Sequence, residues 1–322
     1  MDTELAAVQS QELLAGGQVS ADQHPAAVYI ARLAPGSRRT MREALDTIAV
    51  ILSGRASNAE SLPWHLLRYQ HTQAVRTSLA ERYAPATANK MLAALRGVLK
   101  ESWRLGQMGA EEYHRAVDLE TVKGTTLPRG RALQHREIGA ILSACCADEK
   151  LAGYRDAAIF ALLYAAGLRR SEIAALDLND VDVETGELRI RAAKGHKDRT
   201  VYANNGSLDA LADWLKVRGD EPGPLFCPIN KGGRLLMQQM TPQVVRFMLV
   251  KRAKQAGVKD CSPHDLRRTF IGDLLDSGAD IVTVQHMAGH SNVQTTARYD
   301  RRGEAAKKKA AHLLHVPYSR AG

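Results

Sequence analysis

The sequence predicts a mainly α-helical protein of two domains, with a small antiparallel β-sheet confined to the second. Three observations carry that expectation. Apolar residues recur at a helical period through most of the chain. One stretch rich in Gly, Pro, Thr and Arg, KGTTLPRGRAL at 123–133, interrupts the pattern. Beyond it, GELRIRAAKGHKDRTVYAN at 186–204 changes to a period of two. The chain then divides into a leader over 1–23, a helical domain over 24–122, a linker over 123–134, a mixed domain over 135–302, and a terminal helix and tail over 303–322.

The leader is small, polar and weakly patterned. Helices are expected over 37–52, 71–83 and 87–105, segments with almost no β-branched runs. On a helical wheel of the last, Lys90, Arg96, Lys100 and Arg104 gather within roughly a third of the circumference. Met91, Leu92, Leu95, Val98, Leu99 and Trp103 take much of the rest. Such a stripe is either a solvated face or a phosphate-contacting one. After the linker come helices over 135–146 and 155–166, the second closed by Gly167. Leu188, Ile190 and Ala192 alternate with Arg189 and Arg191, and a glycine-containing turn leads to a second short strand. Helices follow over 208–217, 242–256, 263–277, 281–288 and 292–301, with a last one over 304–315 that ends before Pro317.

The net charge of +9 and pI near 9.4 suit a polyanionic partner. Cys145, Cys146, Cys227 and Cys261 match no metal motif and read as reduced thiols. No apolar run approaches the roughly 20 residues of a membrane span. The acidic N-terminus is no signal peptide. A cytoplasmic protein is expected, with DNA, RNA and a membrane surface all open as its polyanionic partner.

Candidate chemistry clusters in four places. In CSPHDLRRTF, Ser262 caps a helix, Pro263 opens it and Asp265 completes a capping box, which sets His264 and Arg267 on one face of the first turn. Helix N-termini favour phosphate. In GLRRSE, Arg169 lies two residues beyond a glycine stop. In RAAKGHKDR, Lys194 sits at a hairpin tip. In VQHMAGHSNVQTTARYDRR, His286 and His290 have a zinc-like spacing, but Gly289 stops the helix between them. Met287 also stands where H-E-x-x-H needs its glutamate. Ser291 with Gln294 should cap the next helix, carrying Tyr299 about two turns along.

Arg169 in GLRRSE, Lys194 in a β-turn, His264-x-x-Arg267, Gly289-His290, and Tyr299 nine residues on, taken in that order, resemble the tyrosine site-specific recombinases, the family of phage integrases, Xer and Cre. Ala193 and Arg268 depart from common residues, glycine and histidine, outside the six key positions. The resemblance implies a helical core-binding domain followed by an α+β catalytic domain. It implies that Tyr299 attacks a DNA phosphodiester to give a 3′-phosphotyrosyl link. Arg169 and Arg267 would clamp the non-bridging oxygens, His264 handle the tyrosine proton, His290 bond the phosphate and Lys194 protonate the leaving 5′-oxygen. It calls for no cofactor or metal. The implied partners are double-stranded DNA with paired inverted sites and three further protomers in a homotetramer, with room for an accessory DNA-binding protein. Type IB topoisomerases use a similar set, and a non-catalytic DNA-binding protein on this scaffold is the remaining reading.

Overall fold

The computed structural model describes residues 20, 22–124, 130–191 and 198–300, with scattered positions from 303 to 317. The chain forms two compact units, Met1–Pro128 and Arg129–Gly322. Among the described residues are thirteen α-helices and one three-stranded antiparallel sheet, the mainly helical class the sequence predicts.

The first unit contains α1 (Pro25–Ala31), α2 (Pro35–Ser53), α3 (Tyr69–Arg82), α4 (Pro85–Arg104) and α5 (Ala110–Val117). Proline opens α1, α2 and α4, where its missing N–H costs nothing. Helix α4 is the spine. Its Leu92, Leu95, Val98 and Leu99 are wholly buried against Leu45, Ile48, Trp64 and Leu79. At Gly97, a Cβ would lie 2.2 Å from the Tyr29 ring, so the glycine lets α1 cross α4 closely.

The four cations of α4 do not form one uniform stripe. Lys90 and Lys100 are exposed. Arg96 instead reaches the carbonyls of Val117 (3.4 Å) and Leu119 (2.6 Å), satisfying acceptors at the end of α5. Arg104 pairs with Glu101 at 3.1 Å, and the same carboxylate takes Arg32. A helical wheel shows direction but not what a long guanidinium arm can reach.

The second unit runs α6 (His135–Cys146), α7 (Leu151–Ala165), α8 (Arg170–Ala175), β1 (Val181–Asp182), β2 (Glu187–Ile190), β3 (Arg199–Tyr202), α9 (Gly206–Arg218), α10 (Pro242–Gln255), α11 (Pro263–Asp276), α12 (Ile281–Ala288) and α13 (Val293–Ala297). Helix α7 is apolar nearly all round, apart from the buried Arg155 and Asp156, and is packed by α6, α9 and α11. The sheet order is β1-β2-β3, with Leu188 opposite Val201 and Ile190 opposite Arg199. Leu188 and Ile190 point into the core, as their alternation with arginine foretells, and Val201 joins them from β3. Strand β1 is too short to show a period and was not legible. Arg252, fully buried on α10, is matched by Asp156 (2.8 Å) and Asp148 (2.7 Å), which fastens α10 to α7 and the turn before it.

Two local expectations are corrected. The helix expected over 292–301 is α13, which ends at Ala297, so Tyr299 occupies the following turn. Three of its five residues, Val293, Thr295 and Thr296, are β-branched, and tighter bonds from Tyr299 N–H to Thr296 O (2.9 Å) and Asp300 N–H to Ala297 O (3.1 Å) close it. Its cap is Asn292, accepting from the Gln294 N–H at 2.8 Å, rather than Ser291. Most of the leader, the expected hairpin tip over 192–197 with Lys194, and most of the expected helix over 304–315 lie outside the described residues.

Candidate active site

Two glycine turns and one capped helix start bring the site together. After α7 the backbone turns at Gly167 with φ 58°, where a Cβ would meet the Phe270 ring at 2.2 Å. That turn makes Arg169 the N-cap of α8, and Glu172 at the third helical position receives its backbone N–H (2.7 Å) and its side chain (2.6 Å). At α11 the expected cap is present: Ser262 Oγ accepts from the Asp265 N–H at 3.3 Å, and Asp265 accepts from the Ser262 N–H at 2.9 Å. It sets His264 and Arg267 on the first turn. Helix α12 stops at Gly289, φ 62°, and the chain leaves the helix axis before His290. His286 stays exposed on the helix. The two histidines therefore do not share a helix, as their zinc-like spacing would require.

The end of α12 organises the cations. A helix C-terminus leaves carbonyls without intrahelical partners and carries partial negative charge. Here three successive carbonyls each accept one arginine: Met287 from Arg199 Nε (3.0 Å), Ala288 from Arg267, and Gly289 from Arg169 (2.7 Å). Arg267 also donates to the Gly167 carbonyl at 2.6 Å. Glu172 completes the cluster by taking Arg199 bidentately at 2.9 and 2.7 Å.

Tyr299 faces this cluster. Its hydroxyl lies 3.3 Å from His264 Nε2, and its ring stacks at 6.3 Å on that of His290. His290 Nδ1 is 2.9 Å from the hydroxyl of the buried Thr296. If that hydroxyl donates, the ring proton is left on Nε2. So Arg169, His264, Arg267, His290 and Tyr299 are gathered, while Lys90, Arg96, Lys100 and Arg104 belong to the first unit.

Charge and burial tune these groups. Burial, reinforced by Arg267 and Arg169, pushes the His290 imidazole down to about 4, so it is neutral at physiological pH. Partial burial and Arg268 also lower His264, against a smaller opposing pull from Asp265. A neutral His264 can accept a proton from Tyr299. Burial, followed by Arg169, brings Arg267 to about 10, still protonated at neutral pH.

Burial would raise Glu172, but Arg199 and the Arg169 N–H override it and hold the carboxyl at about 2. Its folded value lies below its ordinary 4.5, so its contribution to stability is complete above that value and lost as pH falls toward about 2. Glu172→Gln should therefore be less stable than the parent at pH 7. Its urea midpoint should also change less between about pH 5 and pH 3. Parallel pH dependences for the two proteins would refute this role.

Glu172 and Arg199 were not assigned roles from the sequence. Glu172 had a visible signal, a glutamate three residues after an arginine at a helix start. Arg199 had none, since its partners are 27 and 88 residues away. Among the described residues no group of three or more His, Cys, Asp or Glu side chains is placed to hold a metal ion. Nor is any of their helices long and apolar enough to cross a membrane.

Residues 131–305 match the phage integrase family. The tyrosine recombinase XerC of Corynebacterium efficiens is 33% identical over 225 residues, covering 69% of each chain. XerC of Proteus mirabilis is 31% identical over 276 residues, 83% of this chain and 84% of its own. Among solved structures, the Tn1549 transposon integrase in complex with transposon right end DNA aligns with a TM-score of 0.65 at 18% identity, over 90% of this chain and 98% of that one. A lambda integrase tetramer bound to a Holliday junction aligns at 0.64 and 13%, over 98% and 83%. Fold and sequence together define an enzyme that breaks and rejoins DNA strands. The chain belongs to the tyrosine recombinase, or phage integrase, family.

Proposed function

We propose that this enzyme is a site-specific recombinase whose nucleophile is Tyr299 and whose phosphate clamp is Arg169 with Arg267. The observation that carries the reading is the Tyr299 hydroxyl, 3.3 Å from a histidine nitrogen and beside a cluster of arginines anchored on one helix end. A free phenol with a pKa of about 10 is only about a thousandth ionised at neutral pH, so it needs a base or nearby cations to attack. His264 takes the phenolic proton as the oxygen bonds to phosphorus. Arg169 and Arg267 stabilise the charge that grows on the non-bridging oxygens, and His290 Nε2–H adds a further donor. Lys194 delivers a proton to the departing 5′-oxygen. The phosphotyrosyl ester conserves the bond energy, and attack by a 5′-hydroxyl of a second duplex reverses the step and releases Tyr299.

The helical domain over 24–122 acts as the core-binding domain, with exposed Lys90 and Lys100 as its phosphate contacts on α4. Arg96 and Arg104 serve mainly to brace that helix. The protein acts on the nucleoid in the cytoplasm, on paired inverted sites, as a homotetramer passing through a Holliday junction. Its task is integration and excision, dimer resolution or cointegrate resolution.

A supercoiled plasmid carrying two copies of the DNA that flanks the gene tests this. Recombinant circles should form, and a plasmid without the sites should stay supercoiled. Relaxation of the site-free plasmid with no recombinants would favour a topoisomerase.

A further inference from the structure

Tyr299 lies in a turn, two residues beyond the last residue of a five-residue helix, so the helix does not by itself fix its ring. The rings of His264 and His290 approach it at 6.5 and 6.3 Å. A third neighbour is Arg268, whose guanidinium carbon lies 5.6 Å from the centre of the Tyr299 ring. That is within the range of a cation–π contact. The same guanidinium donates to the Gly130 carbonyl at 3.0 Å.

Gly130 is a firm anchor for that bond. Its φ of 95° suits glycine alone, and a Cβ there would fall 2.1 Å from Asp265 Oδ1. That same oxygen accepts the Arg131 N–H at 2.9 Å, and Thr269 Oγ1 accepts the Leu133 N–H at 2.9 Å. Arg131 also pairs with Glu137 at 2.6 Å and donates to the Lys259 carbonyl at 3.1 Å. Segment 130–133 is thus strapped along the first turns of α11, the turns that carry His264 and Arg267. Arg268 spans from this strap to the tyrosine.

The geometry points to Arg268 as a positioning residue for strand cleavage: braced on the Gly130 carbonyl, it holds the Tyr299 ring against His264. This rests on Tyr299 being the nucleophile. Arg267 is seated on the Gly167 and Ala288 carbonyls and Arg268 is braced on that of Gly130, so the two side chains can be tested separately. Its charge beside His264 works in the same direction, favouring the neutral imidazole that faces the phenol.

The test uses the full-length protein and a nicked duplex bearing its own site, from which the covalent adduct cannot be resealed. Adduct formation at saturating DNA, DNA affinity and the melting temperature are measured for the parent, Arg268→Gln, Arg268→Lys and Tyr299→Phe. Arg268→Gln should slow adduct formation by roughly 5- to 10-fold, the size of a partly buried cation–π contact. Its affinity and melting temperature should be those of the parent. Arg268→Lys, which keeps the charge, should recover most of the rate. A parental rate for Arg268→Gln overturns the proposal. So does a loss confined to affinity, which would make Arg268 a phosphate contact, or a lysine variant as slow as glutamine. An adduct that survives Tyr299→Phe would remove the nucleophile assignment and this proposal with it. A parental rate for Arg268→Gln beside an inactive Tyr299→Phe would remove this proposal alone.

Discussion

Tyr299→Phe is expected to abolish covalent attachment to DNA while leaving site affinity within about threefold of the parent, because the hydroxyl acts only as the bond forms. The phenylalanine ring keeps the stack on His290 and the contact with Arg268, so the site should remain assembled. The measurement is a denaturing gel of protein bound to end-labelled duplex. Persistence of the slow-migrating adduct would transfer the chemistry to another of the nine tyrosines. Tyr164 is poorly placed to take it. Its hydroxyl donates to Asp273 at 2.9 Å, and burial with that carboxylate pushes it up to about 12. It is thus far less readily ionised than a free phenol.

Arg267→Ala should lower the cleavage rate at saturating DNA by roughly a thousandfold, the loss expected when a preorganised donor to a developing oxyanion is removed. The residue is 4% exposed and its side chain is seated on two carbonyls, so truncation also leaves buried acceptors at Gly167 and Ala288. Arg267→Lys separates the two effects. It restores positive charge and volume but not the planar fork that can serve carbonyls and phosphate together. Cleavage at least about a hundredfold below the parent, with a near-parental melting temperature, is expected for lysine. A lysine variant that cleaves at the parental rate would reduce Arg267 to a point charge and end its role as a clamp.

Much of this site is legible along the chain because each piece is written in local punctuation. Ser262, Pro263 and Asp265 announce the start of α11, and Gly289 announces the end of α12. The core faces of α4 and β2 follow from period alone. What stayed hidden depends on reach across the fold. Arg199 and Arg268 look like ordinary charges until chain segments remote in sequence lie beside them, whereas Glu172 carries a local signal three residues after Arg169. Arg96 shows what a helical wheel leaves out, since a cation counted for its direction also bonds a carbonyl 23 residues away. The turn at Tyr299 is not legible, because nothing local separates β-branched residues that end a helix from ones that continue it past a good cap.

Met287, Ala288 and Gly289 hold the three arginines through their carbonyls, and a carbonyl is the same whatever side chain its residue bears. The charge array that would meet the phosphate is therefore encoded largely in the path of the backbone. It would engage a group common to every nucleotide and read no base. Changes of target sequence can then accumulate on other surfaces without disturbing the reaction centre. A retargeted descendant of this enzyme could alter its DNA address and inherit its chemistry intact.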